Sequence, residues 1–290
     1  MRYRVGFAEG SGLREEPRRA FSGLRKPAPD RSVRAPILSE SPDSMRERPQ
    51  AIAAARPAEQ APAGLTATAV LQLQPSTARI RAAELFGLFF LLPGSLATLT
   101  AFDVAVPVVP VLLAIGLAVL VLLRRDPHFP GFRALRKHRP SVRPLGELRR
   151  ILALYMLNLP FLVGIVSITG WSHFLAFPRE QTGLWLTVCF AYPLFSVIPQ
   201  ELIFRVFFYH RYRALIQSRR GVLFISALSF GLAHLLFGHW SSVLLSGVGG
   251  LLFSWTYFRT RSMLWAAGEH ALYGVTLFTI GLGRFFYSGN

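Results

Sequence analysis

Residues 192–210, YPLFSVIPQELIFRVFFYH, carry Gln200, Glu201 and Arg205 in the middle of sequence apolar enough to cross a bilayer. Even on the mildest insertion scale a charged side chain at that depth costs about 2.5 kcal/mol, so it is read as a functional or pairing residue. Arg205 follows Glu201 by one helical turn and lies on the same face, which allows a charge-assisted pair.

Two more polar centres lie downstream in equally apolar surroundings. His234 sits in residues 221–240, GVLFISALSFGLAHLLFGHW, and Glu269 with His270 in residues 262–283, SMLWAAGEHALYGVTLFTIGLG. The cheapest arrangement turns these groups away from lipid and toward one another. One acid, one Arg and two His then share a buried pocket.

In order, the three segments read Gln200-Glu201-x-x-x-Arg205, Phe230-x-x-x-His234 and His270-x-x-x-Gly274. They resemble the motifs of the CPBP (Abi) family of CAAX-processing and bacteriocin-processing intramembrane proteases, which are Glu-Glu-x-x-x-Arg, Phe-x-x-x-His and His-x-x-x-Asn. Gln200 stands where the family has its first Glu, and Gly274 where it has Asn. The resemblance covers roughly residues 184–283. It implies that His234 and His270 match the family's two histidines, and Glu201 and Arg205 its second Glu and its Arg. In the family the first Glu and first His activate water, while the second His and the Asn polarise the carbonyl. Because Gln200 cannot be a base, the resemblance leaves that role to Glu201, with Gln200 as a hydrogen-bond donor. Gly274 removes an oxyanion donor, a loss of order 10²-fold in rate elsewhere; Tyr273 or His239 are the nearby replacements.

Composition agrees with a membrane protein. The chain has 290 residues, 52% hydrophobic and 13% aromatic, with mean hydropathy +0.38, too apolar for an ordinary soluble domain. Its apolar residues cluster into runs of the ~20 residues a span needs. The expected fold is an all-α polytopic membrane protein with about seven helices, near 83–101, 104–123, 150–170, 183–209, 221–238, 241–258 and 263–283. Pro199 is expected to kink or divide the fourth. Residues 1–80, rich in Arg, Pro and Ala, read as a disordered basic tail. Residues 81–150 read as a helix pair with a basic loop, and 151–290 as the core holding the pocket. The lone Cys189 excludes a disulfide framework.

A net charge of +17 raises nucleic-acid binding, but its distribution argues against that partner. Outside the tail the positives gather in 124–150, 210–220 and 259–261, after the second, fourth and sixth helices, as cytoplasmic loops do. The expected topology therefore has a cytoplasmic N-terminus, in a bacterial inner membrane as the resemblance implies. Counted from those loops, Glu201 lies roughly 14 Å deep, His234 roughly 20 Å and His270 roughly 12 Å. Ser242, Ser246, Gly250 and Ser254 recur every four residues and permit close helix packing.

Carboxylate and imidazole supply what peptide hydrolysis needs: activation of water, stabilisation of the oxyanion and a proton for the leaving amine. Glu269 is a second acid, but it points about 100° from His270 on a helix. No cofactor is expected. His234, His270 and Glu201 nevertheless make a set compatible with Zn²⁺ in a metalloprotease. The reading is an intramembrane endopeptidase acting on a membrane-associated or prenylated, CAAX-like substrate reached from the cytoplasmic side. The alternatives are an inactive relative serving as a membrane scaffold or bacteriocin self-immunity protein, and a proton relay or transporter.

Overall fold

The computed structural model describes residues 74–287 except 133–138 and 140. The expected disordered tail thus lies almost wholly outside the described residues, as does part of the first basic loop. Among the described residues no strand occurs. Seven long helices run as α1 (Pro75–Ala101), α2 (Val108–Arg125), α3 (Pro144–Thr169), α4 (Thr182–Tyr212), α5 (Arg219–Phe237), α6 (Trp240–Thr260) and α7 (Met263–Ile280). Hydrocarbon offers backbone groups no water, and a helix pairs them internally, so apolar runs of this length fold this way. The first six are long and apolar enough to cross a membrane. In α7 the pair Glu269 and His270 lowers the apolar content of its 18 residues.

The fold is all-α and polytopic, as expected, with the starts of α1, α2 and α3 moved, α1 the furthest. Helix α1 begins at Pro75 rather than near residue 83, because its polar first half has partners. Arg211 grips Glu84 with both ends of its guanidinium, at 3.0 and 2.7 Å, and Tyr212 donates to the same carboxylate at 2.9 Å. Hydropathy alone does not register such a pairing. The basic ends are tied elsewhere too: buried Glu147 accepts from Arg150 at 2.7 Å and Arg259 at 2.9 Å, linking α3 to α6.

Two kinds of packing hold the bundle. Aromatic rings fill the space between α1 and α4, with Phe89 edge-on to Phe204, Phe208 and Tyr212 at 5.3–5.8 Å. Between α5 and α6 the small-residue stripe does the reverse and removes bulk. A Cβ at Gly250 would stand 3.1 Å from the Ala227 Cα, and one at Gly231 3.0 Å from the Val243 carbonyl. Ser254 donates to Ser226 at 3.1 Å across the same seam. An interhelical hydrogen bond in a membrane protein contributes on average only about 0.6 kcal/mol, so close van der Waals approach is the larger effect there. Gly238, at φ +73°, ends α5 in the left-handed region and turns the chain directly into α6.

Candidate active site

Helix α4 presents its polar residues through a local distortion. Four α-helical residues, Ile198–Glu201, lie between two wide π segments, Pro193–Val197 and Leu202–Phe207. Pro199 has no N–H to give to the preceding turn, and the wider turn absorbs that loss. Of the two expected effects of Pro199, a kink or a division, the division does not occur; α4 continues through all 31 residues. Gly116 of α2 lies against the distortion, where a Cβ would come 3.2 Å from the Pro199 Cβ.

Glu201 is fully buried and divides its two oxygens. Oε1 accepts from His270 Nδ1 at 2.9 Å, and Oε2 faces Arg205 Nε at 3.4 Å. Arg205, also fully buried, donates from Nη1 to Ser226 at 3.2 Å and to the Phe204 carbonyl at 3.3 Å. Its guanidinium lies over the Phe230 and Phe253 rings at 5.0 and 6.0 Å. Since Nδ1 keeps its proton and donates it in a hydrogen bond to the carboxylate, the other ring nitrogen of the neutral His270 is the unprotonated one. Nε2 accepts from the Tyr192 hydroxyl at 3.1 Å. Stacking on Phe253, at 4.5 Å and 13° between planes, holds the imidazole in place. Arg205, Glu201, His270 and Tyr192 thus form one line of polar contacts across α4 and α7.

The remaining expected residues take three different positions. His234 donates from Nδ1 to the Phe230 carbonyl at 2.7 Å, which leaves Nε2 as its available nitrogen. Gln200 donates to Ser196 at 2.7 Å, and its Oε1 is buried without a partner among the described residues. Glu269 points away, as the 100° offset requires. It accepts from Thr256 at 2.5 Å and lies 3.8 Å from Arg150. It therefore belongs to the polar cluster at the basic end of the bundle.

Residues 181–276 match the family model described as type II CAAX prenyl endopeptidase, Rce1-like. The matched segment runs from α4 through most of α7. No curated protein and no solved structure matches the chain. The match supports a CAAX-type intramembrane protease function in general terms, and it takes in every residue of the polar line.

Beside that line the matched segment forms most of the wall of a cavity of about 1000 Å³. Gln200, Tyr192, His234 and His270 line it; Glu201 does not. The rest of the wall is mainly apolar, and Phe161, Phe195, Leu244 and Val248 on it are also exposed on the bundle surface. The contributing helices mainly use the half remote from the Arg-rich ends, as with Val108–Leu113 of α2, Asn158–Ile165 of α3, Phe230–Phe237 of α5 and His270–Phe278 of α7, while Thr187–Gln200 of α4 and Ser241–Phe253 of α6 reach past the helix middle. The cavity therefore runs from the middle of the bundle toward the end remote from its Arg-rich loops.

The Zn²⁺ alternative does not fit these side chains. Among the described residues no three His, Cys, Asp or Glu groups gather as metal ligands. Both nitrogens of His270 and both oxygens of Glu201 already face protein partners. Of the two residues expected to replace the missing side chain at 274, Tyr273 lines the cavity and His239 does not. The Tyr273 hydroxyl accepts from Asn158 at 3.1 Å, and His239 lies against Phe285 outside the cavity wall. The sequence reading missed Tyr192, although it opens the decisive stretch of α4. No spacing rule links residue 192 to residue 270; only their packing does.

Proposed function

We propose that the chain is an intramembrane endopeptidase that hydrolyses a peptide bond in a membrane-associated, CAAX-like substrate, with His270 as the general base. The observation that most supports this is a carboxylate-backed imidazole, Glu201 to His270 at 2.9 Å, ending at a large apolar cavity. Glu201, off the cavity, orients His270 and stabilises its protonated form, the arrangement by which a buried acid serves a catalytic histidine. This departs from the expectation that Glu201 itself is the base.

In the reaction, His270 Nε2 takes one proton of a water whose oxygen bonds to the scissile carbonyl carbon. The carbonyl oxygen becomes an oxyanion. The C–N bond then breaks as the amide nitrogen takes the proton back from Nε2, leaving a carboxylic acid and an amine. The free end of the Gln200 amide holds the attacking water, and His234 Nε2 faces the same space. The apolar wall receives hydrophobic substrate from the bilayer and excludes bulk water. The proposed home is the bacterial inner membrane with the N-terminus cytoplasmic, the partners being lipid and a membrane peptide or protein, with no nucleic acid.

The test is cleavage of a farnesylated Cys-aliphatic-aliphatic-X peptide by purified protein in nanodiscs, beside the unprenylated peptide. Wild type cleaves and is insensitive to chelators, while His270→Ala and Glu201→Gln each lose on the order of 10³-fold in kcat. An inert wild type that gains cleavage with Gln200→Glu would overturn the reading in favour of a scaffold or immunity protein.

A further inference from the structure

The space at position 274 shows how this chain completes its site. Gly274 follows His270 by one turn on α7, on the cavity wall. A Cβ built there would collide with the Tyr192 ring and hydroxyl. The Tyr192 ring therefore occupies the volume that any side chain at 274 would need. Glycine at 274 and tyrosine at 192 are one steric arrangement, and neither is explained alone.

The tyrosine does more than fill space. Its hydroxyl reaches His270 Nε2 at 3.1 Å, the nitrogen through which the base acts, and it borders the cavity. The ring is fixed edge-on to Phe278 at 5.3 Å, while Pro193 begins the π segment directly after it. Packing thus holds a single O–H donor beside the base and within an apolar wall. A donor held in place in a water-poor site stabilises developing negative charge far better than one in water.

We propose that Tyr192 is the oxyanion donor of this site, in place of a side chain at 274; this rests on the hydrolase reading above. In the resting site its hydroxyl donates to Nε2. When the attacking water takes that position on Nε2, the O–H is released to the scissile carbonyl oxygen, one hydrogen-bond length away. It donates a hydrogen bond to the oxyanion and keeps its proton throughout. Tyr192 is then a catalytic residue by contact with the reacting atoms, and α4 supplies both the group that orients the base and the oxyanion donor.

The experiment is a side-chain exchange between the two helices, measured with the same farnesylated peptide in nanodiscs. Tyr192→Phe, which keeps the ring and loses only the hydroxyl, is expected to lower kcat by about 10²-fold with KM changed less than threefold. Gly274→Asn in the wild-type background is expected to be inactive because of the collision. Combining Tyr192→Ala with Gly274→Asn makes room for an amide donor and is expected to exceed both Tyr192→Ala and Gly274→Asn in kcat by at least tenfold. A Tyr192→Phe enzyme within twofold of wild type, or an exchange variant no better than its single parents while folded by size-exclusion and thermal melting, would overturn the proposal and leave the hydrolase reading standing. A wild type that cleaves nothing would overturn both.

Discussion

Replacing Arg205 by Met tests whether the ion pair beneath the base is as dry as its geometry indicates. Met retains much of the apolar contact with Phe230 and Phe253 but abolishes the charge. Removing one partner of a buried pair generally costs about 3–5 kcal/mol, because the other charge is left uncompensated. Here Glu201 keeps the His270 N–H at 2.9 Å, so the lower end applies, about 3 kcal/mol or roughly a hundredfold in the folded-to-unfolded ratio. Glu201→Gln should cost more, about 4 kcal/mol. It leaves the guanidinium with only Ser226 and the Phe204 carbonyl, and an amide N–H can face Arg205 Nε across the former 3.4 Å contact. The double variant strands no charge, so its cost should fall short of the sum by at least about 2 kcal/mol. The assay is reversible unfolding of all four proteins in detergent micelles, analysed as a double-mutant cycle. Additivity within about 0.5 kcal/mol would refute the reasoning, since it would mean that neither charge depends on the other.

Other outcomes follow from the packing and the loop chemistry. Gly250→Val should destabilise the bundle by about 1–3 kcal/mol in the same unfolding assay, because its atoms meet the Ala227 backbone rather than a movable side chain; Gly247→Ala, with nothing within 4 Å of its Cβ, should be near neutral. In the loop after α2, Asp126 accepts from His210 at 2.8 Å and from the His128 backbone N–H at 2.9 Å. The His210 hydrogen bond first, then that of His128, hold the Asp126 carboxyl down from 3.8 to about 2. A depressed acid contributes stability that is full above its unfolded value and is lost as pH falls through the folded one. Asp126→Asn should therefore flatten the loss of thermal stability of wild type between pH 3.8 and about 2; an unchanged acid limb would contradict the assignment. For catalysis, Glu201→Gln and His270→Ala should lose activity together, with a chelator leaving wild type unaffected.

The sequence by itself determined the all-helical membrane fold, the order of the helices and the pairing of Glu201 with Arg205. Each depends on spacing along one chain: runs long enough for hydrocarbon, three polar motifs inside them, and a four-residue offset that a helix turns into contact. The same logic placed Glu269 and His270 on different faces, and marked Ser242 to Ser254 as a close-packing stripe. What lay outside its reach was anything set by contact between helices. The start of α1 depends on Glu84 meeting Arg211. Whether Glu201 or His270 borders the cavity depends on how α4 turns through its two π segments, which residue types do not specify. Tyr192 reaches His270 only because α4 packs on α7 where Gly274 leaves room. Local periodicity encodes which face of a helix is polar; only tertiary packing decides which polar group ends at the cavity and which stands behind it.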